Sequence, residues 1–357
     1  MVREMQVSSG LFDRVYHAVY DDVSGYTAEA IATCLQNGGL DFQQGFTLEE
    51  AWSGLRCLPD FQLHVEWALF FLRQQGYLVQ RGGCWLGAQR KRYAFGDGRN
   101  VQIQPSLNLI DYVAAHWLDV IQGRSNSLHV LFGPEGAPLW EHYFSNSHDL
   151  YAVHNQWAAE CLADRMKADQ AQAPEVLELG TGYGSASMAL LAECMLRAQP
   201  VGRCVLTDIS AALANRARKR LAASYPAARL DAGKLDLNAD YPDWAEAFDY
   251  IFAVNVAHCA QDIVAALNRL RSCLKPGGTL LLSECMRQDH TRLLHQEFIF
   301  SLLPNFAPIR RGDSDAPCFG FWSGADWHAF MESAGYRSIQ VIENEGRQIL
   351  GGLIIGS

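Results

Sequence analysis

Three glycines and three acids in the second half of the chain have the spacing of a nucleotide-type ligand site. The apolar run 175–179 leads into Glu178-Leu-Gly180-Thr-Gly182-Tyr-Gly184 and then into a helical pattern. Glycine lets a backbone turn sharply and approach a ligand, because no Cβ stands in the way. A dinucleotide fingerprint needs G-x-G-x-x-G. Counted from Gly180, its third glycine would fall at Ser185. The third glycine is Gly184 instead, which gives E-x-G-x-G-x-G. That pattern is shaped for the methionine part of S-adenosylmethionine (SAM), whose ammonium suits the acid at Glu178. Asp208 closes the next predicted strand, in Thr207-Asp-Ile209-Ser210. A carboxylate there can accept both ribose hydroxyls, as the ribose acid of dinucleotide folds does. Asp236, in Leu235-Asp-Leu237-Asn238, is placed to accept from the adenine amino group. One surface acid signifies little. Three at successive strand ends of one glycine-led unit predict SAM as cofactor, with Ile209, Leu237 and Asn255 beside them.

A second constellation lies further along. A predicted strand ends in Asn255-Val-Ala-His258-Cys259, and the next is followed by Glu284. Neighbouring strands would bring His258 and Glu284 together at one edge of a sheet. A carboxylate bonded to one imidazole nitrogen fixes the tautomer and raises the basicity of the other. That suits removal of a proton from a carbon acid or a hydroxyl. The plainer alternative is a structural histidine at a strand end. The cysteines form no Cys-x-x-Cys pair, so no metal site is predicted. Cys161, Cys194 and Cys273 sit in apolar segments and read as buried, reduced thiols of a cytoplasmic protein.

These residues need a scaffold that alternates strand and helix. Strands are predicted over 175–179, 203–207, 248–254 and 279–283, with helices over 185–197, 211–223 and 263–274. Such alternation argues a doubly wound, Rossmann-like α/β sheet. The chain before it reads differently. Thr47-Leu-Glu-Glu50 is a capping-box helix start. A second helix follows Pro59-Asp60, and the glycine-rich turn 81–83 joins two short strands, a hairpin signal. Helix, helix, hairpin is the winged-helix pattern, and a third helix is predicted from Pro105 to Gln122. The expected division is a mostly helical, winged-helix-like lid or dimerisation domain over 1–125, a linking helical segment over 126–170 and the SAM-binding domain over 171–357. Winged helices often bind DNA. However, residues 1–150 carry ten Lys and Arg against sixteen Asp and Glu, and the whole chain has a formal charge of −10. An acidic surface repels phosphate backbones, so no nucleic acid is expected. Residues 1–10 have no signal-peptide core, and no apolar run approaches membrane-spanning length. The basic cluster Arg90-Lys91-Arg92 stands out as a docking element or a solvated loop.

The chain resembles the C-methyltransferase domains of modular polyketide synthases and their free-standing relatives. The motifs that carry the resemblance are the segment 123–132, Thr207-Asp-Ile-Ser210, Leu235-Asp236, Asn255-Val-Ala-His258 and the stretch from Trp322-Ser-Gly-Ala-Asp-Trp327 to Gly335-Tyr336. Tyr143 and Asn155 fall where that family places Tyr and Asn, and Asn155 joins the predicted cofactor residues on this ground. Leu274-Lys-Pro-Gly-Gly278 is shared by many methyltransferases. The family reads His-Ala-Thr where this chain has His258-Cys-Ala260. The resemblance implies a class I methyltransferase fold and a catalytic dyad of His258 and Glu284. It also implies methylation of the α-carbon of a β-ketoacyl thioester on an acyl carrier protein, with a homodimer as one possible assembly. Two other readings stay open: an O-methyltransferase of a small natural product with His258 as base, and an inactive methyltransferase fold that serves as a binding module. Phe298, Phe300, Phe306, Phe319, Phe321 and Trp322 read either as an acyl-pocket wall or as core.

Overall fold

The computed structural model describes residues 10–88, 103–146, 148–241, 244–304, 306–312 and 314–357; Arg90-Lys91-Arg92 lies outside them. The chain forms two compact units. One combines Val15–Leu150 with Asp289–Gly320, and the other combines Met1–Arg14, Tyr151–Gln288 and Phe321–Ser357.

The first unit is mostly helical: α1 (Arg14–Asn37), α2 (Leu48–Gly54), α3 (Gln62–Gln74), the strands β1 (Leu78–Arg81) and β2 (Cys84–Gly87), then α4 (Gln104–Ile121), α5 (Ser127–Phe132) and α6 (Gly136–Ser145). The predicted capping box at α2 is present: Glu50 N–H donates to Thr47 Oγ1 at 3.2 Å, and Thr47 N–H donates to Glu50 Oε2 at 2.7 Å. β1 and β2 pair antiparallel around Gly82-Gly83, which gives the winged-helix pattern of α2, α3 and hairpin.

The second unit is built on a seven-stranded sheet. After α7 (Ala152–Ala168) come β3 (Glu175–Leu179), α8 (Ser185–Leu196), β4 (Arg203–Asp208), α9 (Ala211–Ser224), β5 (Leu230–Lys234), β6 (Phe248–Val254), α10 (Ile263–Cys273) and β7 (Leu274–Cys285). A short helix α11 (Gln296–Phe300) belongs to the first unit; α12 (Gly324–Ser333), β8 (Gln340–Glu343) and β9 (Gly351–Gly356) complete the second. The strand order is β5-β4-β3-β6-β7-β9-β8. β3 to β7 run parallel, as predicted, with α8, α9 and α10 as crossovers after β3, β4 and β6. β9 is the addition: it slots antiparallel between β7 and β8. Pairing of β6 with β7 jumps from Phe248–Leu274 to Tyr250–Thr279, so Lys275-Pro-Gly-Gly278 stands out of register at the predicted turn. Leu177, Leu179, Ile251, Leu280, Leu282, Trp327 and Ile354 fill the core around this sheet.

The units divide the chain differently from the expected 1–125, 126–170 and 171–357. Residues 289–320 join the helical unit because Glu297, fully buried, is satisfied there. Its Oε2 accepts Trp67 Nε1–H at 3.0 Å and Leu294 N–H at 2.8 Å, and its Oε1 accepts Phe319 N–H at 2.9 Å. A carboxylate removed from water is tolerable only with such partners. The aromatic stretch follows the same logic. Phe306 stacks on Phe319 at 5.1 Å and Phe298 lies parallel to Trp67 at 6.5 Å, which makes these rings core of the helical unit.

Candidate active site

The loop between β3 and α8 is held from inside. Glu178 is 1% exposed. Its Oε2 accepts the hydroxyls of Thr181 and Ser187, both at 2.6 Å, and its Oε1 accepts Ser187 N–H at 3.3 Å. Burial pushes this carboxyl up to about 7; the bonds from Ser187 and Thr181 pull it down, and the charge of Asp208 adds to the rise. The carboxyl is thus bonded to the loop's own hydroxyls, in addition to the partnership with a ligand ammonium that the motif suggested. Thr181 and Ser187 were not singled out from sequence, although hydroxyl residues three and nine positions after a strand-end acid are the signal.

Two glycines of the loop are required for different reasons. Gly180 has φ +58°, and a Cβ there would lie 2.5 Å from Val256 Cγ2. Gly182 has φ +49°, but a Cβ there would meet only Gly180 O, at 3.9 Å. Its open side is a cradle that a side chain would fill, as a close-lying cofactor requires. At Gly184 the neighbour is the face of α9, with Ala217 Cβ at 3.2 Å.

Asp208 closes β4 and Asp236 follows β5, parallel strands that end on the same side of the sheet as the glycine loop. Asp208 Oδ2 accepts Gly182 N–H at 3.0 Å and Oδ1 accepts Ser210 N–H at 2.8 Å. Each oxygen keeps lone-pair capacity for a further donor. Burial raises its pKa, against the two backbone bonds. Next to it, Ile209 is an apolar side chain that is 63% exposed. Asp236 Oδ1 accepts Asn238 N–H at 2.9 Å, and Leu237 beside it is buried. Asn155 is buried in the first turn of α7, next to His154, whose ring reaches Ser283 Oγ and Cys285 Sγ of β7. Tyr143 lies in the helical unit, edge-on to Trp140 at 6.1 Å.

His258 and Glu284 meet as the sequence predicted. His258 Nδ1 lies 2.6 Å from Glu284 Oε2, and the two side chains are 7% and 0% exposed. The other carboxylate oxygen accepts Val256 N–H at 3.1 Å and Ala257 N–H at 2.8 Å. Glu284 thus holds both the ring and the turn that carries it. Asn255, at φ +53°, fixes the start of that turn: its N–H donates to Ser283 O at 2.7 Å and its Oδ1 accepts Cys285 N–H. Phe321 covers the imidazole at 4.8 Å between ring centroids, so one residue of the aromatic stretch does border this pair. Burial by itself lowers the His258 pKa. The charge and hydrogen bonding of Cys259 and Glu284 outweigh it and hold the pKa well above the ordinary histidine value. Cys259, where the family reads Ala, is exposed. Tyr151, absent from the sequence reading, donates to Val254 O at 3.3 Å at the end of β6.

Among the described residues, no group of three or more His, Cys, Asp or Glu is placed to hold a metal, and no helix is long and apolar enough to cross a membrane.

A parallel sheet with a glycine-led first crossover and acids at successive strand ends defines the class I methyltransferase fold. A family profile described as a methyltransferase domain matches residues 177–280. The chain thus carries a methyltransferase domain, which implies SAM as cofactor. It resembles the carbon-methylating domains of polyketide synthases in both sequence and fold. It is 30% identical over 239 residues, 66% of the chain, to the lovastatin nonaketide synthase polyketide component of Aspergillus terreus, and spans 7% of that protein's length. The CurJ carbon methyltransferase superposes with a TM-score of 0.76 at 19% identity, covering 98% of this chain and 94% of that one. The citrinin polyketide synthase CMeT domain gives 0.73 at 19% identity, with 96% and 90% covered.

Proposed function

We propose that the chain transfers a methyl group from SAM to the α-carbon of a β-ketoacyl thioester presented on a carrier protein. The observation that carries this reading is the 2.6 Å contact between His258 Nδ1 and Glu284 Oε2, with the second Glu284 oxygen engaged by two backbone N–H groups. Both Glu284 oxygens are committed, and the contact is made through Nδ1, so Nε2 is the nitrogen assigned to the base role. A β-carbonyl acidifies the α-C–H, and His258 Nε2 takes that proton. Glu284 stabilises the imidazolium that results. SAM supplies the electrophilic methyl group. Gly180, Gly182, Asp208 with Ile209, and Asp236 with Leu237 hold it, and Glu178 and Asn255 shape the loops around it. Phe321, packed on the ring, keeps water from the base and strengthens its pairing with Glu284. The polyketide-synthase relatives support the acyl substrate class, and the lone imidazole base suits a carbon acid.

The test is incubation with SAM carrying a ¹³C-methyl group and a β-ketoacyl carrier protein, followed by mass spectrometry and carbon NMR of the released acyl chain. A new methyl bonded to the α-carbon is the expected result. A methyl found on oxygen assigns the protein to O-methylation and overturns the carbon reading.

A further inference from the structure

The order of the sheet separates β5 from β6 by two strands, β4 and β3. The loops that follow β5 and β6 are nevertheless joined. Asn238 Oδ1, three residues after Leu235, accepts Gln261 N–H at 2.7 Å. Asn238 belongs to the loop carrying Asp236, and Gln261 lies between the turn bearing His258 and Asp262, the N-cap of α10. The bond spans the ends of the two intervening strands, β4, which ends at Asp208, and β3, which leads into the glycine loop.

The loop end of this bond is fixed twice. Asp236 Oδ1 accepts Asn238 N–H at 2.9 Å, which sets the turn, and Arg269 Nη2–H of α10 donates to Leu237 O at 2.6 Å. The other end is fixed by Glu284, which takes the N–H groups of Val256 and Ala257 in front of His258. The segment that carries His258 is therefore held on one side by β7 and on the other by the loop assigned to adenine.

We propose that Asn238 is a positioning residue that couples occupancy of the Asp236–Leu237 loop to the placement of His258. The inference rests on the cofactor assignment made above. An adenine seated against Asp236 orders that loop, and through Asn238 the order passes to Gln261 and the turn before it. A ligand shifts such an equilibrium only as far as it binds the two arrangements differently. The chain thus gains a base that is best aligned when the methyl donor is present.

The experiment uses S-adenosylhomocysteine, which occupies the cofactor site without transferring a methyl. The imidazole of His258 is followed by ¹³C NMR through a pH titration, with and without this ligand, in the full chain. In the wild type the ligand should shift both the ring resonance and its midpoint. Asn238→Ala should bind the ligand, shown by a retained rise in Tm, yet lose most of the His258 shift. Asn238→Asp keeps an acceptor for Gln261 N–H and should restore it. At saturating SAM, Asn238→Ala should also lose about 10-fold to 10²-fold in kcat, the scale of a small misplacement of a catalytic group. An Asn238→Ala protein with an undiminished His258 response, or one impaired only in KM for SAM, overturns the coupling. Failure of S-adenosylhomocysteine to bind the wild type would instead remove the cofactor assignment beneath it.

Discussion

Gly180 and Val256 are in mutual register: a Cβ on the glycine would lie 2.5 Å from one Val256 methyl and 2.6 Å from the other. The first glycine of the cofactor loop is thereby packed on the turn that carries His258, two residues on. Gly182, two residues later, faces open space.

That contrast gives the first prediction. Gly180→Ala puts a methyl into Val256 at a backbone φ of +58°, and the fold itself should suffer. A loss of about 2–3 kcal/mol is expected from overpacking and strain together, read as a lower denaturation midpoint. Gly182→Ala should cost about 1 kcal/mol from its φ alone. It should nonetheless abolish the SAM-induced rise in Tm that native-state binding confers. Thermal scans with and without SAM check both. A Gly182→Ala protein with the full ligand-induced rise would show that the cofactor lies elsewhere.

The second prediction concerns pH. His258 is held above its ordinary pKa by Cys259 and Glu284, against its burial. A base must be deprotonated, so kcat should climb with pH through that raised value and stay low near pH 6. Glu284→Gln removes one of the charges that hold the proton, so the rising limb should move toward acid pH while the plateau falls. His258→Ala should lose about 10²–10⁴-fold in rate. The sign for stability is opposite to that for activity. A raised histidine pKa stabilises the fold at low pH, and that contribution is lost as pH rises through the folded value. Rate profiles and melting curves over pH 5–10 measure both. An unmoved rising limb in Glu284→Gln assigns the limb to another group.

The third prediction separates binding from chemistry. Asp208→Ala removes the acceptor proposed for the ribose and also the partner of Gly182 N–H, which it takes at 3.0 Å. A lost bond to a charged group costs about 1.5–3 kcal/mol, so KM for SAM should rise about 10-fold to 10²-fold. Ground-state contacts of this kind leave kcat largely intact at saturation. Steady-state kinetics with SAM varied provides the check, and a kcat that stays low at saturation contradicts the role.

The legible part of this molecule was local. The turn at Gly180–Gly184 and the capping box at Thr47 were legible because their conformation is set within a few residues. The dyad was legible for a related reason: His258 follows β6 and Glu284 lies near the end of β7, and strands joined by one short crossover usually pair. The antiparallel place of β9 was not legible, since pairing of Glu284 with Gly352 depends on which strand is free at the end of assembly. The inward turn of Glu178 went unread, although Thr181 and Ser187, three and nine positions further on, were the available signal. Asn238 and Gln261 sit 23 residues apart, in the loops after two strands that do not touch, so no periodicity announces their bond.

The placement of β9 has a bearing on how the enzyme is made. Glu284 sits on β7 opposite Gly352, and Gly351 and Gly352 approach His154 and Met286 so closely that a Cβ would fall within 2.4 Å and 2.5 Å of them. On the ribosome, β3 to β7 emerge in order and can associate as they appear. The strand that closes β7 on its other side arrives only after residue 356 has left the exit tunnel. Until then β7 is an open edge of backbone donors and acceptors, the kind of edge that recruits foreign strands. Without β9 that edge of β7 would stay open, so a truncation before Gly351 should favour aggregation.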